Sequence, residues 1–304
     1  MFAKILVPLD GSAFAETALA HALTLSRKAG GAVELVSVVE DEGAYPDPEW
    51  RRAAVEWSER SLEKAAAEVR ERAGGDVSVR VLAGRVWEAL VDRAREWGAG
   101  LIVMATHGRG ALSRAWLGSV ADAVVRHTDM PVLLLRPDEG AAPPRADAEV
   151  RFGKVLIPLD GSEVSRSAVE PAVALGSLFG ARYQLLRVVS VPAESPSPYL
   201  PYAVPMNVDL IESVRRGAAE SLESAASELR ARGVQVDTEV VVDVQPARVI
   251  LERARDLGCD LIVLATHGRG GLSRVVLGST ADKVVRGAHG PVLVVRPPSH
   301  PEPQ

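Results

Sequence analysis

Two rhythms of apolar positions alternate along the chain. Short, almost wholly apolar β-branched runs read as strands at Ile5 to Leu9, Val33 to Val39, Val77 to Leu82, Leu101 to Met104 and Val132 to Leu135. The segments between them carry helical period, at Ala13 to Ala29, Glu49 to Ala73, Val86 to Trp97 and Ser119 to Arg126. Val86, Leu90, Ala94 and Trp97 fall on one helical stripe, which must face a core. Strands separated by long helices cannot close as hairpins, so they pair in parallel through crossovers, with helices covering both faces of the sheet.

The pattern then starts again. Lys4-Ile5-Leu6-Val7-Pro8-Leu9-Asp10-Gly11-Ser12 returns as Lys154-Val155-Leu156-Ile157-Pro158-Leu159-Asp160-Gly161-Ser162. Leu101 to Pro137 aligns without gaps to Leu261 to Pro297, with about two-thirds of positions identical, which marks an internal repeat. The sequence predicts an α/β protein of two tandem doubly wound domains, each a five-stranded parallel sheet with helices on both faces. The expected boundaries are 1–137 for the first domain, 138–151 for a Pro- and Gly-containing linker, 152–297 for the second domain and 298–304 for a flexible tail. The length of 304 residues agrees, at roughly 150 per domain. The final runs, Val132 to Leu135 and Val292 to Val295, are short apolar edges that should pair with one another, within one chain or between two.

Composition narrows the classes of partner. A formal net charge of −5 argues against nucleic acid, which calls for a basic face. No apolar stretch approaches the roughly 20 residues that span a bilayer, and Met1 to Pro8 is too short and too quickly followed by Asp10 to read as a signal peptide. A cytoplasmic protein without a membrane partner is expected. The lone Cys259, beside an apolar run, reads as an inert thiol, and no Cys/His spacing suggests zinc. Helix-face packing is the expectation for most of Trp50, Trp57, Trp87, Trp97 and Trp116, although Trp116, just before Gly118, is placed to cover the first site or an interface.

In doubly wound sheets ligands bind beyond the carboxyl ends of the strands, so strand-end motifs carry the chemistry. Asp10-Gly11-Ser12 and Asp160-Gly161-Ser162 close a strand and open a helix. Their side chains either satisfy amides at the helix start or present a carboxylate to a ligand's amine or hydroxyl. Ala105-Thr106-His107-Gly108-Arg109-Gly110 runs on through Leu112-Ser113-Arg114 to Leu117-Gly118-Ser119, and its copy spans Ala265 to Ser279. Glycines that bare backbone amides ahead of a helix make an anion site. The structural alternative is that Ser119-Val120-Ala121-Asp122 and Ser279-Thr280-Ala281-Asp282 are capping boxes. Arg109, Arg114, Arg269 and Arg274 are either phosphate clamps or exposed loop residues. His107 and His267 have no carboxylate partner in the motif, so positioning is expected of them and no catalytic residue is assigned. Neither a P-loop nor a dinucleotide fingerprint is present.

The spacing of Gly108, nine residues, then Gly118-Ser119, repeated at Gly268 and Gly278-Ser279, resembles the ATP-binding signature of the universal stress protein family. With the opening Val-Pro-Leu-Asp-Gly-Ser and the closing Pro131-Val132-Leu133, the resemblance covers nearly the whole chain twice. It implies an adenine-nucleotide α-hydrolase-like sheet of order 3-2-1-4-5. It also implies that Asp10 and Val38 meet adenine and ribose, while Gly108, Gly118, Ser119 and Val120 hold ribose and phosphates. Pro8, Leu9, Met104, Ala105, His107 and Arg109 complete that site by the same resemblance. The second site comprises Pro158, Leu159, Asp160, Val188, Leu264, Ala265, His267, Gly268, Arg269, Gly278, Ser279 and Thr280. The chain departs from the signature at Ala105 and Ala265, where the family has glycine.

The function implied is an ATP-binding stress-response sensor or regulator, at most a weak ATPase, with Mg²⁺ arriving on the phosphates and no metal held by side chains. Chains of this kind are expected to self-associate through the last strand of each domain, as a homodimer of tandem chains. Two alternatives stand beside it: a nucleotide-free dimerisation module, and a genuine ATP-hydrolysing or phosphate-transferring enzyme. A Pro-rich insertion, Val191 to Pro205, is expected to form a lid over the second site.

Overall fold

The computed structural model describes residues 1–40, 47–72, 75–106, 117–136, 147–190, 208–266 and 277–297. In the first half the order is β1 (Lys4–Pro8), α1 (Ala13–Ala29), β2 (Ala32–Val39), α2 (Pro48–Arg72), β3 (Asp76–Ala83), α3 (Val86–Trp97), β4 (Leu101–Ala105), α4 (Ser119–His127) and β5 (Val132–Leu135). The second half repeats it with β6 (Lys154–Pro158), α5 (Glu163–Arg166), α6 (Val169–Ser177), β7 (Arg182–Val189), α7 (Val208–Ala231), β8 (Val236–Val242), α8 (Pro246–Asp256), β9 (Leu261–Ala265), α9 (Ser279–Gly287) and β10 (Val292–Val295).

Side chains alternate along the strands between two buried layers, as strand geometry requires. In β4, Leu101 and Val103 pack with α1 and α2, while Ile102 and Met104 pack with α3 and α4. Burial on both faces explains why these runs are apolar almost throughout. One departure from the repeat is local. The helix that is continuous as α1 is split into α5 and α6, because Pro171 lacks the N–H that would bond one turn back.

Within each half the strands are parallel and ordered 3-2-1-4-5, as the resemblance implies. The two sheets are not separate. β5 and β10 pair antiparallel, with Leu133 opposite Leu293, and fuse them into a 10-stranded sheet of order β3-β2-β1-β4-β5-β10-β9-β6-β7-β8. Both hydrogen-bonding edges of β5 and of β10 are therefore filled inside one chain. The two final runs thus pair with one another within one chain, one of the two arrangements expected of them.

Reciprocal side-chain grips reinforce the join. Arg136 Nη1 donates to the carbonyl of Arg286 at 2.9 Å, and Arg296 Nη1 donates to that of Arg126 at 3.1 Å. Each half thus places a cation at the carboxyl end of the other's helix, where the dipole favours it. On the opposite face, His21 of α1 meets the Phe152 ring at 6.1 Å, and Phe152 meets Phe179 edge-on at 5.1 Å.

Two tryptophans are not packed as expected. Trp50 and Trp57 are 69% and 43% exposed on α2, whose first buried side chain is Ser58. Trp87 stacks on His127 at 4.2 Å, Trp97 receives Lys4 Nζ over its ring at 5.5 Å, and Trp116 lies outside the described residues. The Val191 to Pro205 stretch lies outside them as well.

Candidate functional site

The winding reverses between β1 and β4, because successive strands first build outward through β2 and β3 and then return to the other side of β1. A crevice at the carboxyl edge follows from that topology. The Asp10 turn leaves β1 there, the end of β2 lies on one side of it, and α4 starts on the other.

The turn is tightly built. Leu9 N–H donates to Val36 O at 2.8 Å, extending the β1–β2 ladder to the edge. Asp10 Oδ1 accepts from the N–H and the Oγ of Ser12 at 2.9 and 2.6 Å. Ser12 Oγ in turn accepts from Ala15 N–H at 3.2 Å and caps α1. Gly11 has φ 76°, a left-handed value that favours glycine. The second half repeats every part: Leu159 N–H to Leu186 O at 2.8 Å, Ser162 to Asp160 Oδ1 at 2.9 and 2.6 Å, and Ser165 N–H to Ser162 Oγ at 3.1 Å. These bonds are those of the reading in which the motif satisfies amides at the helix start. Serine is the cap, and the aspartate orients the turn with one oxygen.

At the other wall, Thr106 N–H donates to Leu135 O at 2.8 Å, and Thr106 O accepts from Gly118 N–H at 2.8 Å. That second bond ties the start of α4 to the end of β4. Thr266 and Gly278 make the same contact at 2.7 Å. Thr106 and Thr266, both buried, went unassigned in the sequence, because a carbonyl contact leaves no side-chain signal.

The helix starts differ from the capping-box reading. The N-cap residues are Gly118 and Gly278, with no side-chain cap hydrogen bond, and Ser119 and Ser279 are the exposed first residues of α4 and α9. A first-turn serine cannot act as the cap, so its hydroxyl is not consumed there. Both glycines have φ −56° and ψ 146°, a conformation open to every residue. The backbone does not require glycine at these positions. What glycine adds is the absence of a side chain beside the first-turn amides.

The remaining expected site residues divide by depth. Pro8, Pro158, Val38, Val188, Val120 and Thr280 are half-buried at the edge. Leu9, Leu159, Met104 and Leu264 send their side chains into the core, leaving only their backbone near the crevice. Ala105 and Ala265 are buried too, and Ala265 packs in the same cluster as Val263, on the α1-equivalent side. His107, Gly108, Arg109, His267, Gly268 and Arg269 lie outside the described residues.

Among the described residues no group of three His, Cys, Asp or Glu side chains is placed to hold a metal ion, and no helix is long and apolar enough to cross a membrane. Burial pushes the Cys259 thiol up to about 11, so it carries little thiolate near neutral pH.

The sequence profile described as the Universal stress protein family matches residues 1–136 and again 151–296. Universal stress protein MJ0531 of Methanocaldococcus jannaschii is 36% identical over 153 residues, 50% of this chain and 86% of that protein. Universal stress protein Rv2005c of Mycobacterium tuberculosis is 29% identical over 309 residues, covering 96% of each chain. A solved universal stress protein from Archaeoglobus fulgidus shares the fold at a TM-score of 0.70 and 20% identity, covering 96% of each chain. With the family profile matching twice, over the same two halves that the strand order and the paired Asp and Gly-Ser turns define, the chain belongs to the universal stress protein family.

Proposed function

We propose that each half binds an adenine nucleotide, with ATP as the physiological ligand, and that the chain works as a nucleotide-dependent regulator. The observation that carries this reading is the pair of glycine N-caps. At Gly118 and Gly278 a helix begins without a side-chain cap, in a conformation that does not need glycine, beside a strand end at the topological switch point. First-turn amides, which a helix cannot satisfy within itself, and the positive end of its dipole suit a phosphate. The Asp10 and Asp160 turns leave β1 and β6 at the same carboxyl edge, with Val38 and Val188 near the ends of the neighbouring strands, which supports placing the base there. Burial of the alanine methyl at 265 within the core is compatible with a nucleotide despite the departure from the family signature. Mg²⁺ would enter bound to the phosphates, neutralising charge that the chain does not ligate.

The test is direct. ATP or ADP released from the purified chain is identified by mass spectrometry, and ATP binding is titrated by calorimetry. Gly118→Val with Gly278→Val should abolish both while leaving circular dichroism unchanged, since valine tolerates that φ and ψ. Undiminished ATP binding by the folded double variant would remove the reading.

A further inference from the structure

The two sites are not chemically equal. In register, β1 sets Pro8 opposite Val36 and β6 sets Pro158 opposite Leu186, so position 187 on β7 corresponds to position 37 on β2. The first half has Ser37 there, 7% exposed and neutral. The second half has Arg187, half-buried. Its guanidinium lies against the acidic turn: a Cβ built on Gly161 would fall 2.5 Å from Nη1 and 2.7 Å from Cζ and Nη2. Gly161 directly follows Asp160, whose Oδ1 holds Ser162 with the same bond lengths found at Asp10.

Among the described residues, the two crevices share an acid and its geometry, and the second carries a guanidinium on its acidic turn where the first has a serine at the matching strand position. Whatever else Arg187 touches, its guanidinium at Gly161 adds positive charge to an acidic turn, which favours an anion entering the crevice. A guanidinium keeps its charge at all physiological pH values, and partial burial limits its screening by salt.

We infer that Arg187 is a specificity-determining residue that makes the second site the more anion-selective of the two. The second half holds a polyphosphorylated nucleotide more tightly than the first, whereas a neutral nucleoside gains nothing from the change. This rests on the nucleotide reading above.

The test uses the full chain carrying Gly118→Val, so that only the second site reports, and compares Arg187 with Arg187→Ser and Arg187→Lys. ATP is titrated at several salt concentrations, and adenosine serves as the uncharged probe. Arg187→Ser should weaken ATP binding about five- to tenfold at low salt, with a shallower salt dependence and no change for adenosine. Arg187→Lys should stay within about twofold of the parent, because it keeps the charge. Thermal midpoints check that each variant is folded. An unchanged salt dependence in Arg187→Ser, or a lysine variant as weak as the serine one, overturns the inference while leaving nucleotide binding intact. A wild-type chain that binds no ATP overturns both.

Discussion

Replacing Glu34 by glutamine should destabilise the first half by about 2–3 kcal/mol, and a second substitution should restore much of the loss. Glu34 is 3% exposed on β2, and its carboxylate takes both Nε and Nη2 of Arg93, at 2.7 and 2.8 Å. The Arg93 side chain is 14% exposed, and hydrogen bonding to Glu34 raises its affinity for the proton. Removing one partner of such a buried pair costs about 3–5 kcal/mol, because the other charge is stranded. Glutamine keeps the shape and one acceptor, and Glu96 stays 3.7 Å from Arg93, which lowers the figure to about 2–3 kcal/mol.

The second half supplies its own control. Gln184 occupies the position of Glu34, and Arg253, the counterpart of Arg93, pairs instead with Glu239 at 2.9 Å. Glu239 corresponds in register to Arg80, which lies opposite Val36 as Glu239 lies opposite Leu186. Glu34→Gln with Arg80→Glu therefore rebuilds the second half's arrangement inside the first, and should recover at least half of the loss. All five tryptophans, Trp50, Trp57, Trp87, Trp97 and Trp116, belong to the first half, so urea unfolding followed by tryptophan fluorescence reads that half selectively. A single variant indistinguishable from wild type, or a double variant no more stable than the single, would refute the reasoning.

Further outcomes follow from the contacts between halves. Burial lowers the pKa of His21 to about 4, against a backbone hydrogen bond to Thr17 that raises it. The folded state thus holds His21 neutral, and its contribution is complete above about pH 6.5 and lost as pH falls towards 4. About 1–2 kcal/mol should disappear by pH 5, a loss that His21→Leu should not show when urea midpoints are compared at pH 7.5 and 5. Arg136→Ala and Arg296→Ala should each cost about 1–2 kcal/mol by freeing helix-end carbonyls. The pair together should speed limited proteolysis between the halves, and unchanged cleavage would show that the strand join holds alone.

Much of the candidate site was legible because its residues are local in sequence. Asp10-Gly11-Ser12 announces a strand-to-helix turn by chemistry alone, and its return at Asp160 places the second such turn without any coordinates. Ser119 was harder, since Ser-x-x-Asp fits a cap equally well. Only the bond from Asp122 N–H to Gly118 O at 2.9 Å fixes the helix start one residue earlier.

The sequence by itself determined the tandem repeat, the parallel α/β order of each half and the position of both strand-end turns. Those properties follow from hydrophobic period, turn chemistry and self-similarity, which act over a few residues or recur at fixed spacing. Tertiary structure alone decided that β5 and β10 fuse two sheets into one, that a charge moves from Glu34 on β2 to Glu239 on β8, and that Arg187 lies on the Gly161 turn. Each of these depends on which residues meet across long separations in the chain, and an apolar edge or a lone arginine carries no local mark of its partner.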